Sequence, residues 1–213
     1  GCPRLDILLT HYHLDHVVGL SYLPGVWRGR PVRLFAPAPP LVAAAPEEAL
    51  GRLLAPPLFP VPLAAFPLPV EVVPFTGPEL AAGPFALRLR AQRHPGGSVG
   101  VRVGDALAYV TDTVLDPETE AFVRGVGLLL HEVWLTDDEA AGGAAERSGH
   151  AAASEVADLA RRAGVGRLLP VHHHPRRTAE ELTALAAALA ARAGLPVEIA
   201  VEGTPLALGA ARP

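Results

Sequence analysis

The chain has 213 residues, half of them hydrophobic, and a net charge of −4; that is material for one domain with a sizeable core and no broad basic face for gripping nucleic acid. No apolar run is long enough to span a membrane and the start lacks a basic-then-apolar leader. The single Cys2 cannot form an internal disulfide, so nothing calls for an oxidising compartment and the cytoplasm is the default.

RLDILLT (4–10) is a short apolar run that predicts a buried strand ending at a histidine cluster. DHVVGLSYL (15–23) predicts a helical turn or two, broken at Pro24-Gly25. PVRLFAP (31–37) alternates as a strand. Residues 38–84 are rich in Pro, Ala and Leu, too apolar for a disordered linker, and predict a packed set of short elements and turns. FALRLRAQRH (85–94) alternates apolar and basic residues as a half-buried strand does. SVGVRVGDALAYVTD (98–112) reads as a hairpin turning at Gly104-Asp105, and VGLLLHEVW (126–134) as a buried strand. AAASEVADLARRAG (151–164) puts Val156, Leu159, Ala160 and Ala163 on one helical face with Gly164 as a stop. VGRLLPVH (165–172) is strand-like, and Pro170 makes it irregular or an edge. Thr178 and Glu181 form a capping box that opens a helix to about residue 193. PVEIAVEG (196–203) predicts a closing strand. No internal repeat occurs at a fixed period. Strands with few helices, followed by alternating β and α, predict a layered α/β domain.

Three of the nine histidines crowd into THYHLDH (10–16); the others are His94, His131, His150, His172, His173 and His174. Most stand at the C-terminal end of a predicted strand or just before a predicted helix, where α/β proteins place their sites. In an extended segment His11 and His13 point the same way and can grip one ion. Asp15 and His16, where the chain turns towards helix, face elsewhere, towards a second. Imidazole suits zinc. Asp112 ends a predicted strand, and its two oxygens can span two ions.

HYHLDH after a short strand, followed in order by RHPGG at His94, YVTDT at Asp112 and LLPVHHHP from His172, resembles the metallo-β-lactamase-fold hydrolases over essentially the whole chain. The resemblance implies one α/β domain over residues 1–213, an αββα sandwich with a dinuclear site at one edge. By position, His11, His13 and His94 would hold one ion, Asp15, His16 and His172 the other, and Asp112 would bridge them. Two zinc ions are implied, although manganese and iron use overlapping ligand types. A water between two such ions is acidified to hydroxide and already aimed, and Asp15 can hydrogen-bond it as well as ligate.

His16 and the lack of a Cys ligand fit class B β-lactamases poorly, and His13 stands where flavodiiron proteins carry Glu. LLLHEVWLTDDEA, with ERSGHAAASEVADLARRAGVGRLLPVHHHP after it, resembles the ribonuclease Z-like phosphodiesterase branch. There His150 would match the proton-donating His and Glu132 the acid that orients it, general-acid work suited to a group titrating near neutrality. The N-terminus of the 151–163 helix would also attract a phosphate. His173 and His174 are expected to support the ligands or line the rim, His131 is either part of the site or an ordinary loop-end residue, and Arg176 and Arg177 could meet an anionic substrate or form a solvated basic surface. Three departures shape the expectation. Ala151 and Ala152 stand where the branch commonly has Ser or Thr. Only the 98–111 hairpin lies between His94 and Asp112, where tRNA-processing members carry a long arm, so tRNA is not the expected substrate. Only ten residues precede His11, so the sandwich is expected to be truncated at the N-terminus, with a homodimer contact or an upstream segment covering the sheet edge.

The expected activity is hydrolysis of a small anionic phosphodiester, cyclic nucleotides among the candidates. Ester, lactone or thioester hydrolysis on the same metal motif is the alternative, and a metal-stabilised, non-catalytic binding module is the second.

Overall fold

The computed structural model describes residues 3–27 and 29–208; Cys2 lies outside the described residues, as do Gly1, Arg28 and residues 209–213. The strands are β1 (Leu5–Leu8), β2 (Val32–Pro37), β3 (Val70–Phe75), β4 (Glu79–Ala82), β5 (Phe85–Gln92), β6 (Ser98–Val103), β7 (Leu107–Val110), β8 (Leu128–Glu132) and β9 (Arg167–Val171). The helices are α1 (Leu14–Val17), α2 (Leu23–Val26), α3 (Pro46–Leu53), α4 (Pro117–Val123), α5 (Asp137–Ala140), α6 (Ala144–Ser148), α7 (Ala153–Ala163) and α8 (Ala179–Ala193).

The first sheet is parallel, in the order β1-β2-β3, with Asp6 opposite Arg33. The second runs β4-β5-β6-β7-β8-β9, antiparallel as far as β7 and parallel from there. Alternation along β2 explains how the layers stack. Val32, Leu34 and Ala36 pack with Leu20, Leu23, Leu50 and Leu54 from the segment around α1 to α3. Phe35, on the opposite face, packs with Leu87, Leu89 and Val99 of the second sheet. The far side of that sheet, through Ala108, Val110 and Leu129, packs against Phe122 of α4, Val156 and Leu159 of α7 and Leu189 of α8. Helix, sheet, sheet and helix therefore lie in sequence, which is the expected αββα sandwich. No helix among the described residues is long and apolar enough to cross a membrane.

Strand direction gathers the functional loops. β5 and β7 are each antiparallel to β6 and so parallel to one another, and β8 and β9 run the same way. The C-terminal ends of β5, β7, β8 and β9 thus lie along one edge of the sheet.

Two expectations need correction. Pro24-Gly25 does not break the early helical segment: the chain passes from α1 through a 3₁₀ stretch, Val18–Tyr22, into α2, with Pro24 in its first turn, where a missing N–H costs nothing. Residues 196–203 do not form a strand. They make one bridge, Leu168 to Val197, through Leu168 N–H to Pro196 O and Glu198 N–H to Leu168 O. The next outward N–H on β9 would belong to residue 170, and proline has none, so the ladder stops.

Candidate metal centre

Each histidine of the first cluster is set by local geometry. His11 follows β1 and is buried, while His13 and Asp15 are exposed and His16 is half-buried as α1 begins. His94 follows β5, Asp112 follows β7, and His172 follows β9. Among the described residues, Asp112 (φ 51°) and His172 (φ 50°) are the non-glycine residues with positive φ, a conformation in which L side chains are strained.

The seven residues converge as two groups of possible ligand atoms, His11, His13, His94 and Asp112 in one and Asp15, His16 and His172 in the other, with atoms within 4.8 Å of one another in each. Asp112 reaches both. Its Oδ2 is 3.6 Å from His11 Nε2 and from His94 Nε2 and 3.3 Å from His16 Nε2, while Oδ1 is 3.5 Å from His172 Nε2. His13 Nδ1 is 3.0 Å from His94 Nε2, and His16 Nε2 is 3.1 Å from His172 Nε2. Asp15 Oδ2 stands 3.3 Å from His172 Nε2 and 3.4 Å from His16 Nε2.

The outer nitrogens explain why the inner ones are available. His94 Nδ1–H donates to Gly149 O at 2.9 Å, and His11 Nδ1 pairs with Thr10 Oγ1 at 3.1 Å. A ring that donates through one nitrogen presents a lone pair at the other. His11 Nε2 is buried without a hydrogen-bond partner. Burial, then the neighbouring His16, pushes the His11 pKa down to about 3, and burial also lowers those of His94 and His172. At Asp112 burial acts upward, but hydrogen bonds with His16 and Thr111 outweigh it and hold the carboxyl well below the usual range. At His16 burial acts downward, but the hydrogen bond to Asp112 and its charge prevail and raise the pKa, so an ion bound there would displace a proton. Imidazoles held neutral at His11, His94 and His172 beside an ionised carboxylate are donors a divalent ion requires, so these residues fit such an ion.

Glu132, at the end of β8, is fully buried. Its Oε2 accepts from His150 Nδ1–H at 2.8 Å and its Oε1 from the Thr113 N–H at 2.5 Å, so one carboxylate ties His150 to the residue after Asp112. Burial raises the Glu132 pKa, with His150 opposing. At His150 burial acts downward, but the bond to Glu132 and its charge prevail and the pKa is raised. The His150 ring lies 5.1 Å from that of His94 and 5.6 Å from that of His172. With Asp112 and His172 it makes a third group of ligating geometry, so its Nε2 is placed to carry a proton or to bind an ion.

The residues without an assigned role separate. His131 is fully buried on the opposite face of β8; its Nδ1–H donates to Glu132 O at 2.8 Å, and burial lowers its pKa to about 4. It secures the backbone of Glu132 and stands outside the cluster. Arg177 is not a free cation for substrate: it bonds Glu139, whose pKa it pulls down to about 2, and the Trp134 carbonyl. Arg176 is exposed. His173 is half-buried, with its pKa lowered by burial, and the edge of His174 meets Trp134.

Two contributors were missed from sequence. The Thr113 N–H carries no sequence signal. Trp134, whose ring stacks on His150 at 4.8 Å and on His172 at 5.0 Å, follows the His-Glu pair by two positions, and strand alternation from Glu132 was the available clue.

Known proteins resemble this chain in sequence and in fold. A ribonuclease Z of Porphyromonas gingivalis is 33% identical over 119 residues, 54% of this chain and 34% of that protein; the chain spans about a third of the curated relatives it matches. Among solved structures, the metallo-β-lactamase fold protein YhfI from Bacillus subtilis superposes with a TM-score of 0.70 at 21% identity, covering 94% of this chain and 76% of that one. A diphosphatase from the PhnP family gives 0.68 at 17% identity, covering 99% and 74%. The family model of the beta-lactamase superfamily domain matches residues 1–173. With that match spanning both ligand groups, from His11 to His172, the chain belongs to the beta-lactamase superfamily, and its relatives in sequence and fold fit the ribonuclease Z-like branch.

Proposed function

We propose that the chain is a dinuclear, zinc-dependent phosphodiesterase acting on a small anionic phosphodiester. One observation carries the choice of chemistry: His150, hydrogen-bonded to the buried Glu132, lies against both His94 of one ligand group and His172 of the other. Similarity to a ribonuclease and to a diphosphatase, names that point to phosphorus–oxygen bonds, supports it. The imidazole-rich donor set favours zinc. His11, His13 and His94 would hold one ion, Asp15, His16 and His172 the other, with Asp112 shared. When bound, such ions supply Lewis acidity and lower the pKa of water.

The chain's own residues then divide the proton work. Glu132 accepts from Nδ1–H and so leaves Nε2 of His150 to give its proton to the departing oxygen. The raised pKa keeps that proton available near neutrality. Asp15, exposed beside His16 and His172, accepts a hydrogen bond from the attacking water.

A comparison of leaving groups tests this. In bis(p-nitrophenyl) phosphate the departing phenolate needs little protonation, whereas the alkoxide of a 2′,3′-cyclic nucleotide needs a proton. We expect His150→Ala to keep its metal content, lose about 10²- to 10⁴-fold in kcat on the cyclic nucleotide, and lose much less on the aryl diester. Loss of metal in His150→Ala would make it a ligand instead. Activity confined to esters, lactones or thioesters, activity unchanged in His13→Ala, or purified protein that binds zinc and hydrolyses nothing would each overturn the proposal.

A further inference from the structure

Trp134 follows β8 by two residues and shares the site-facing side with Glu132, between Val133 and Leu135, which are both buried. Its backbone neighbours join the two segments its ring touches. Val133 N–H donates to Val171 O at 3.1 Å, beside His172, and Leu135 N–H donates to Ala151 O at 3.3 Å, beside His150. Arg177 adds a bond to the Trp134 carbonyl at 3.4 Å.

The ring geometry can be taken further. The indole is near-parallel to His150 (16°) and to His172 (29°), at centroid distances of 4.8 and 5.0 Å, and the two imidazoles are 5.6 Å apart. Rings stacked on opposite faces of an indole would be separated by at least about 7 Å, twice the closest carbon–carbon contact. Both imidazoles therefore lie side by side over the same face. We infer that Trp134 is a positioning residue: one indole face is the common plate on which His150 and His172 rest, and it fixes the spacing between the proton donor and a ligand of the second ion. A small side chain would leave each ring without this plate, held by its own hydrogen bonds and by the neighbouring ring of His94 or His16. Misplacing such supporting contacts costs about ten- to a hundredfold in activity or metal affinity.

The inference rests on the phosphodiesterase reading for its kinetic consequence and not for its spectroscopic one. The chain's two tryptophans are Trp27 and Trp134, and Trp27 packs with the cluster around α1 to α3. Zinc titrated into metal-free protein should change the tryptophan emission of wild type and of Trp27→Phe, and not that of Trp134→Phe. Kinetically, Trp134→Ala should lower kcat on the cyclic nucleotide about ten- to a hundredfold with KM nearly unchanged, and Trp134→Phe should recover most of it. If Trp134→Ala does not fold, the Trp134→Phe emission test and the kinetic split in Trp134→Leu still decide. An emission change that survives in Trp134→Phe and disappears in Trp27→Phe overturns the inference, as does a folded Trp134→Ala with wild-type kcat. If no variant or wild type cleaves phosphodiesters while the Trp134 emission still responds to zinc, the phosphodiesterase reading fails and the plate stands.

Discussion

A non-glycine residue held at positive φ costs about 1–3 kcal/mol and persists only where its surroundings over-determine it. At Asp112 hydrogen bonds from three sides do this. Ser98 Oγ donates to its carbonyl at 2.7 Å, Thr111 Oγ1 to its Oδ1 at 2.5 Å, and the next residue's N–H is held by Glu132. These bonds turn the carboxylate so that Oδ2 meets His11 and His94 of one group and His16 of the other, while Oδ1 meets His172. The strain was not legible in YVTDT, because φ depends on partners that arrive from β6 and β8. The candidate ligands and their order were legible as a pattern, since a histidine keeps its chemistry wherever it is placed, and the structure brings those residues together. Away from the site, Asp6 illustrates a charge whose effect depends on pH. Its carboxyl is held well below its ordinary 3.8, first by a hydrogen bond from Arg33 and then by one from Arg4. A folded-state pKa below the unfolded one stabilises at pH above the unfolded value, and the contribution is lost as pH falls through the folded one. Asp6→Asn should therefore lower Tm at pH 7, and the gap from wild type should narrow below about pH 3, where carboxylates are protonated in the unfolded chain. A gap that stays constant across that range in thermal melts would contradict it.

At the scale of elements, caps were the most readable features because they are local. Thr178 accepts from the Glu181 N–H and Glu181 from the Thr178 N–H at the start of α8, as the sequence pattern required. α7 begins differently. Its cap residue Ala152 has no side-chain acceptor, and only the Glu155 carboxylate, taking the Ala152 N–H at 3.2 Å, closes one half of the box. Adding a hydroxyl there should complete it. We expect Thr178→Ala to cost, and Ala152→Ser to gain, about 1 kcal/mol, a fall and a rise in Tm of about 2–4 °C in a chain of this size. Calorimetry of the two variants reads both, and equal shifts in the same direction would refute the cap assignment. What was not local was not legible. The failed strand at 196–203 is set by the missing N–H of Pro170 on its neighbour, and Trp134 acts through residues in the loops before α7 and after β9.

At the scale of the molecule, the four-layer order was foreseen from family resemblance more than from periodicity, since alternation along β2 cannot say which partner lies on which face. The arrangement has a temporal consequence. His11, His13, Asp15 and His16 lie in the segment after β1 of the first sheet, and His94, Asp112 and His172 follow strands of the second, so each group of candidate ligands draws from both. His16 and His172 meet across 156 positions of sequence, a loop whose closure entropy must be met before the contact rewards it, and we expect it to form late in folding. A divalent ion in either group would be a clasp that must open before the sheets can part. Interactions formed late, after the folding transition state, act on the unfolding rate. Chelation should therefore steepen the loss of folded protein in stopped-flow denaturation more than it slows refolding, while an unfolding limb indifferent to chelator would show that the sheets part without disturbing the ligands. The edge that gathers the chemistry would then also be the lock that sets how long the folded chain lasts.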